Sequence, residues 1–376
     1  MIYDFPFLYE DELLYSVLGR YHQTSGNKSV KKTIFNLFNK TTIIPVIDMP
    51  CNIEKLCDNL PEELGYNSDY IINKCTLFPL YSPFMAKEKR FECISIIKYS
   101  DGKGLKLKMG IIAGSICHKQ SIHYCPECAK FESKLYDETY IHRLHQVQGV
   151  YICEKHLCKL IAYNDENLNK WHFCYIDSNI VDEIEYFDDS MFAQKLLKLV
   201  EEIKYIFNNN IDELVDESIV FNIYYKILLE KGYITAKGNI RKSKLVNDFL
   251  NYYGSEFLKY LDSEVDISKN NWLNTFFYKS KRAIHPIRHI LLIDFLYETM
   301  EKFINYEEKQ VKYPCMNKFC NYYKDDAKTK FILSNDSKVH KIIVNIMCEE
   351  CVLHIHENMM LTYIKLVELR NLVLYG

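Results

Sequence analysis

The chain has 376 residues, enough for two or three domains, and its 48% hydrophobic and 26% charged residues exclude a disordered protein. A net charge of −3 excludes a generally basic nucleic-acid binder, so any hold on DNA must come from local basic patches or a larger assembly. The acidic start MIYDFPFLYEDE has no apolar secretory core, and HILLIDFLYETM, interrupted by Asp294, is too short to span a bilayer. The expected setting is the cytoplasm, with reduced thiols and no membrane partner.

In chain order, residues 10–24 place Leu13, Leu14, Val17, Leu18 and Tyr21 on one helical face. A turn containing Gly26 leads to a second short helix, VKKTIFNLF, and the pair reads as a helix-turn-helix or as any helical hairpin. Residues 53–75 predict two short helices broken at Pro61. Residues 76–85, TLFPLYSPFM, read as an extended linker, and residues 92–124 as short apolar runs ending in a strand at SIHYC. Residues 137–146 predict a helix carrying His142 and His145 on one face.

Beyond the polar stretch 164–172, DDSMFAQKLLKLVEEIKYIF predicts a helix capped by Asp189 or Ser190. From 217 to 304 the chain reads as consecutive helices. SIVFNIYYKILLEK, the turn GYITAKGN and IRKSKLVNDFLNYY form a second helix-turn-helix candidate. Lys237, Arg241, Lys242 and Lys244 cluster at the start of its second helix, where a recognition helix meets phosphates and base edges; a solvated lysine face is the alternative. A second basic segment around Pro286 holds Lys279, Lys281, Arg282, Arg288 and His289 at another helix start.

The fourteen cysteines sort into groups. Cys125, Cys128, Cys153 and His156 form Cys-x2-Cys-x24-Cys-x2-His. Two close pairs of N/S donors joined by a longer loop are what tetrahedral zinc requires. His142 and His145 are rival ligands to His156. Cys315, Cys320, Cys348 and Cys351 form Cys-x4-Cys-x27-Cys-x2-Cys, a second four-donor set. Four ligands apiece leave no open coordination position, which points to two structural zinc ions. Cys51, Cys57, Cys75, Cys93, Cys117, Cys158 and Cys174 lack paired spacing and are expected as small buried apolar groups. P-loop, dinucleotide-binding, nucleophile-elbow and zincin motifs are all absent, so a binding or adaptor protein is expected in place of an enzyme.

Several stretches together resemble one family. FPFLYEDELLYSVLGRYHQTSGN, with Asp11 to Ser16 and Arg20 to His22, is similar to the opening of the TniQ/TnsD family of transposon target-site selection proteins. TLFPLYSPF, HYCPEC, HRLHQVQGV and CEKHLCKL follow in the family's order, and HPIRHILLIDFL with the CMNKFC and CEEC pairs resembles its longer, TnsD-type members. By position the family's ligands fall on Cys125, Cys128, Cys153 and His156.

The resemblance implies a mainly α protein with small β elements, combining helix-turn-helix units with two zinc-finger or ribbon modules. The expected division is an N-terminal TniQ domain at 1–120, a first zinc module at 121–165 and a helical domain at 166–310. A second zinc module with a C-terminal helix completes it at 311–376. The implied function is non-catalytic target selection. Such a chain binds double-stranded DNA, or sits on an RNA-guided CRISPR effector complex, and recruits an AAA+ ATPase that passes the signal to the transposase. Direct reading would put Lys237, Arg241, Lys242, Lys244, Lys281 and Arg282 on phosphates at the nucleoid; a CRISPR adaptor would form a homodimer. A zinc-containing transcription regulator and a zinc-dependent nucleic-acid enzyme are the readings from other classes.

Overall fold

The computed structural model describes residues 2–355 except 3, 45, 112–115, 164–171, 177–181, 236–238, 268–270, 277–282, 308–311, 316, 324–325, 337–340, 349 and 352–353. Its elements in chain order begin with α1 (Leu14–Thr24), α2 (Val30–Phe38), α3 (Ile53–Asn59), α4 (Ser68–Cys75), α5 (Phe78–Tyr81), α6 (Lys87–Tyr99) and α7 (Leu105–Met109). Then come β1 (Ile122–Tyr124), α8 (Pro126–Tyr136), β2 (Ile161–Tyr163), α9 (Ser190–Asn208), α10 (Ile211–Leu214), α11 (Glu217–Glu230), α12 (Lys242–Tyr253) and α13 (Ser255–Tyr260). The last are α14 (Trp272–Phe276), α15 (Pro286–Tyr297), α16 (Met300–Ile304), β3 (Lys312–Pro314), β4 (Asp326–Asp336), β5 (Lys341–Cys348) and β6 (His354–Ile355). The protein is therefore mainly helical, with two small sheets, ordered β1-β2 and β3-β4-β5-β6.

The chain divides into two compact units. The first comprises Met1–Ser218, Glu256–Glu264 and Arg282–Glu301, and the second Ile219–Ser255, Val265–Lys281 and Lys302–Gly376.

In the first unit, α1 buries Leu14, Val17 and Leu18, and α2 buries Ile34, Leu37 and Phe38. Ser29 caps α2 by accepting from the Lys32 N–H, and Asn39 closes it in the left-handed conformation. His22 and Thr33 hydrogen-bond between α1 and α2 at 2.6 Å, while α2 packs on α3 and α3 on α4 and α6. Asp189 caps α9 by accepting from Met191 and Phe192, as its sequence predicts. Leu196, Leu199, Val200, Ile203 and Phe207 form the buried stripe of that helix.

Three stretches differ from expectation. Residues 76–85 are two helical turns, because Pro79 and Pro83 sit in first turns, where a proline lacks nothing the helix needs, and Phe78, Leu80 and Phe84 are buried. Residues 87–99 form α6 where the sequence reads as short runs. Residues 137–146 are not a helix: Asp137 ends α8 at φ +58, His142 bridges to Glu12 as extended backbone, and one 3-10 turn follows at Leu144–Gln146.

The second unit has an aromatic core. The buried ring of Tyr224 on α11 meets Phe276 at 5.4 Å and Phe303 at 4.9 Å, and Phe249 on α12 meets Trp272 at 5.6 Å. Edge-to-face pairs of this kind add to the area they bury. Between α11 and α12 the chain makes a tight hairpin, with Ile234 bridged to Ile240 and the Arg241 N–H donating to the Tyr233 carbonyl at 2.7 Å. The antiparallel β4–β5 ribbon pairs Thr329 with Cys348 through to Asp336 with Lys341. The predicted C-terminal helix falls largely on residues 356–376, outside the described residues.

Candidate metal centres

The first centre is built at the start of α8. Cys125 is the N-cap residue, its sulfur accepting from the Cys128 N–H at 3.4 Å, and Pro126 supplies the first helical turn. The helix thereby presents its positive N-terminal end to a sulfur, which favours thiolate. The second pair comes from a knuckle in which the Leu157 N–H donates to the Cys153 carbonyl and the Cys153 N–H to the Cys158 carbonyl, both at 2.9 Å.

These two pieces bring Cys125, Cys128, Cys153 and His156 together. His156 turns Nδ1 inward, 3.4 Å from Cys125 Sγ, 3.3 Å from Cys128 Sγ and 3.7 Å from Cys153 Sγ; Cys128 and Cys153 are 3.7 Å apart. A tetrahedral zinc with bonds of about 2.3 Å to sulfur sets its donors roughly 3.5–3.8 Å apart, so the donor set fits. The three cysteines are buried and His156 is half-buried. Hydrogen bonds from Cys128, Cys153 and Cys158 hold the Cys125 thiol well below the ordinary thiol range.

The rival histidines lie beside this cluster, outside the four-donor set. His142 donates from Nε2 to Glu132 at 2.6 Å, and its Nδ1 faces Asp11 at 3.8 Å. Burial alone would lower its pKa, but the hydrogen bonds to Asp11 and Glu132 win and raise it to about 9. The His145 ring stacks on His142 at 4.6 Å, and burial holds it neutral. Cys128, Glu132 and His142 thus form a third donor group sharing one ligand with the first. Cys158 is buried as expected, but its sulfur stands 3.3 Å from Cys125 Sγ, which its unpaired spacing does not suggest.

The N-terminal motif supports this centre from behind. Glu12, with a fully buried side chain, accepts from Arg20 at 2.9 Å, from Ser16 Oγ at 2.7 Å and from the Tyr9 N–H at 3.0 Å. Arg20 also donates to Glu138, just past α8, at 2.7 Å and lies over the Tyr9 ring at 4.2 Å. Asp11 accepts from the Arg143 guanidinium at 3.3 Å and from the Leu144 N–H at 3.0 Å. Its carboxyl is held below the usual range: burial pushes upward, but the His142 hydrogen bond and the Arg143 charge outweigh it. The sequence marks these residues as a signature and gives them no role; their role is to clamp α1 to the cysteine-bearing segment.

The second centre joins Cys315, Cys320, Cys348 and Cys351. Cys315 follows β3, and the Asn317 N–H donates to its sulfur at 3.4 Å, turning the chain so that Cys320 faces inward. Cys348 ends β5, and Cys351 follows a turn. The Cys315–Cys351 and Cys320–Cys348 sulfur separations are 3.4 and 4.0 Å. Each cluster could therefore hold one metal ion, and both donor sets are complete without a further ligand.

Of the residues expected on DNA, Arg241, Lys242 and Lys244 lie exposed at the N-terminal end of α12. Lys244 stands over the Tyr233 ring at 4.9 Å. Lys237, Lys281 and Arg282 lie outside the described residues. Two members of the second basic segment serve the interior instead. Arg288 donates to the Asp262 carbonyl at 2.9 Å, and His289 is buried against Phe84 with ring centroids 4.2 Å apart. Among the described residues no helix is long and apolar enough to cross a membrane.

Comparison with known proteins agrees with this arrangement. Residues 5–160 match the TniQ family model, and residues 199–362 match the model described as Tn7-like transposition protein D. The chain is 24% identical over 294 residues to the transposon Tn7 transposition protein TnsD of Escherichia coli. That alignment covers 77% of this chain and 57% of the relative, so the chain spans little more than half of the relative's length. With the two family models in tandem, and the motif residues and first cysteine cluster inside the first of them, the chain belongs to the TniQ/TnsD family of transposition proteins.

Proposed function

We propose that this protein selects the insertion site of a Tn7-like transposon. It binds double-stranded DNA at that site and recruits an AAA+ ATPase that engages the transposase, with no reaction of its own. The observation that carries this reading is the tandem match to the TniQ and transposition protein D family models along the chain. The exposed Arg241, Lys242 and Lys244 at the start of α12 support direct DNA contact: a helix N-terminus bearing cations suits phosphate, and phosphate contacts position a reader on its duplex. Lys237, Lys281 and Arg282 belong to the same proposed set.

The two clusters are proposed to hold structural zinc. Bound there, zinc cross-links segments that bury too little apolar surface to fold alone. Cys125, Cys128, Cys153 and His156 would hold one ion, and Cys315, Cys320, Cys348 and Cys351 the other.

The test is capture of sheared host genomic DNA by the zinc-loaded chain at physiological salt, followed by sequencing. One sharply enriched locus is the expected result. The net charge of −3 favours a second reading, a homodimeric adaptor on a CRISPR effector complex. Folded protein that enriches no locus but binds such a complex would replace direct reading with that one. Enrichment confined to its own promoter, with no ATPase binding, would instead make it a transcription regulator.

A further inference from the structure

The first centre holds one donor more than four-coordinate zinc needs. Cys158 is fully buried, and its sulfur is 3.3 Å from that of Cys125, within the spacing that two ligands of one tetrahedral ion adopt. Its placement is enforced. Leu157 takes φ +57, a left-handed conformation that costs a non-glycine residue about 1 kcal/mol or more, while its own side chain is half exposed. The reversal at Leu157 turns the chain back, so that the Cys158 carbonyl accepts from the Cys153 N–H at 2.9 Å and Ile152 bridges to Lys159. Of the four primary donors only His156 is not fully enclosed, which makes it the ligand that solvent reaches first.

We infer that Cys158 is a reserve ligand of this centre, taking the open coordination position when His156 leaves the metal. In the exchange the Cys158 S–H proton passes to solvent, a zinc–sulfur bond forms and the zinc–nitrogen bond breaks; the ion stays bound and nothing is oxidised. The centre would then hold zinc through local opening of its exposed edge, where a strict four-donor site would release it. The inference rests on the reading that this centre binds zinc.

The experiment uses the full chain with zinc counted after dialysis. Wild type, His156→Ala and Cys158→Ala are each expected to keep two ions per chain, one for each cluster, and the His156→Ala/Cys158→Ala double variant to keep one. Cobalt substitution of His156→Ala should show a sulfur-to-metal charge-transfer band stronger than that of wild type. A His156→Ala chain that loses the ion as the double variant does would overturn the inference. A wild-type chain with no zinc at this centre would overturn the zinc reading itself. Cys158→Ala supplies a measurement that does not depend on His156 variants folding. It should pass zinc to a competing chelator roughly tenfold faster than wild type, the scale on which groups beside a metal's ligands act. An unchanged release rate would also remove the reserve role.

Discussion

Arg20 reaches Glu12 across 2.9 Å at a position where the Glu12 side chain is fully buried and that of Arg20 nearly so. Burial by itself would lower the Arg20 pKa, yet the Glu138 hydrogen bond and the charges of Glu12 and Glu138 raise it. The pair is therefore held charged inside the fold, and it joins α1 to the segment after α8.

Removing one partner leaves the other buried and unpaired. Arg20→Met is expected to cost about 3–5 kcal/mol of stability, measured by urea denaturation. Glu12→Gln/Arg20→Met should cost less than Arg20→Met alone, because no uncompensated charge remains. A single-variant loss below about 1 kcal/mol would place this pair among the weak surface bridges instead.

Zinc removal should unfold the cysteine modules. Cys125→Ser and Cys315→Ser should each drop one ion per chain and lower the melting temperature, and a strong chelator should do the same to wild type. A variant that loses its ion but melts as wild type would show that its cluster is not structural.

His285 sets a pH dependence. It caps α15 by accepting the Ile287 N–H at Nδ1 and bonds through Nε2 to Gln148 at 2.8 Å, so the ring is neutral, with its proton on Nε2. Burial lowers its pKa to about 3, and that of His289 likewise. The unfolded chain takes up protons near pH 6.5 that the folded chain refuses. Stability is therefore complete above about pH 6.5 and falls as pH drops toward 3, by up to roughly 1.4 kcal/mol per pH unit for each ring. His285→Asn, which retains a capping side chain, should flatten the melting-temperature difference between pH 7 and pH 5. An unchanged slope would mean that His285 is protonated in the fold.

The salt dependence of DNA binding tests the α12 cations. Replacing Arg241, Lys242 and Lys244 together by alanine should lower the slope of log affinity against log salt by about 0.9 for each phosphate that is no longer neutralised. Binding should weaken across all sequences, because phosphate contacts position the protein without reading bases. A variant with the wild-type slope would put the DNA surface elsewhere.

By itself the sequence determined what depends on neighbours in the chain. The Cys-x2-Cys and Cys-x2-His spacings, the Asp189 cap, the break at Pro61 and the amphipathic faces of α1 and α9 are all local, and each was legible. The tertiary structure decided what depends on residues far apart. Glu12 and Arg20 meet Glu138 and the His142 backbone only because α1 packs beside the segment that follows α8. His142 is bound between two carboxylates, one of them more than a hundred residues away along the chain, so no spacing rule could say that it stands outside the four-donor set. Residues 137–143 carry helical spacing but pair as extended backbone, because bonds to Asp11, Glu12 and Ser16 outweigh a weak local preference. Cys158 sits one residue beyond a left-handed leucine, a conformation that no sequence preference would assign to that side chain, and that turn is what brings a fifth donor to the metal centre.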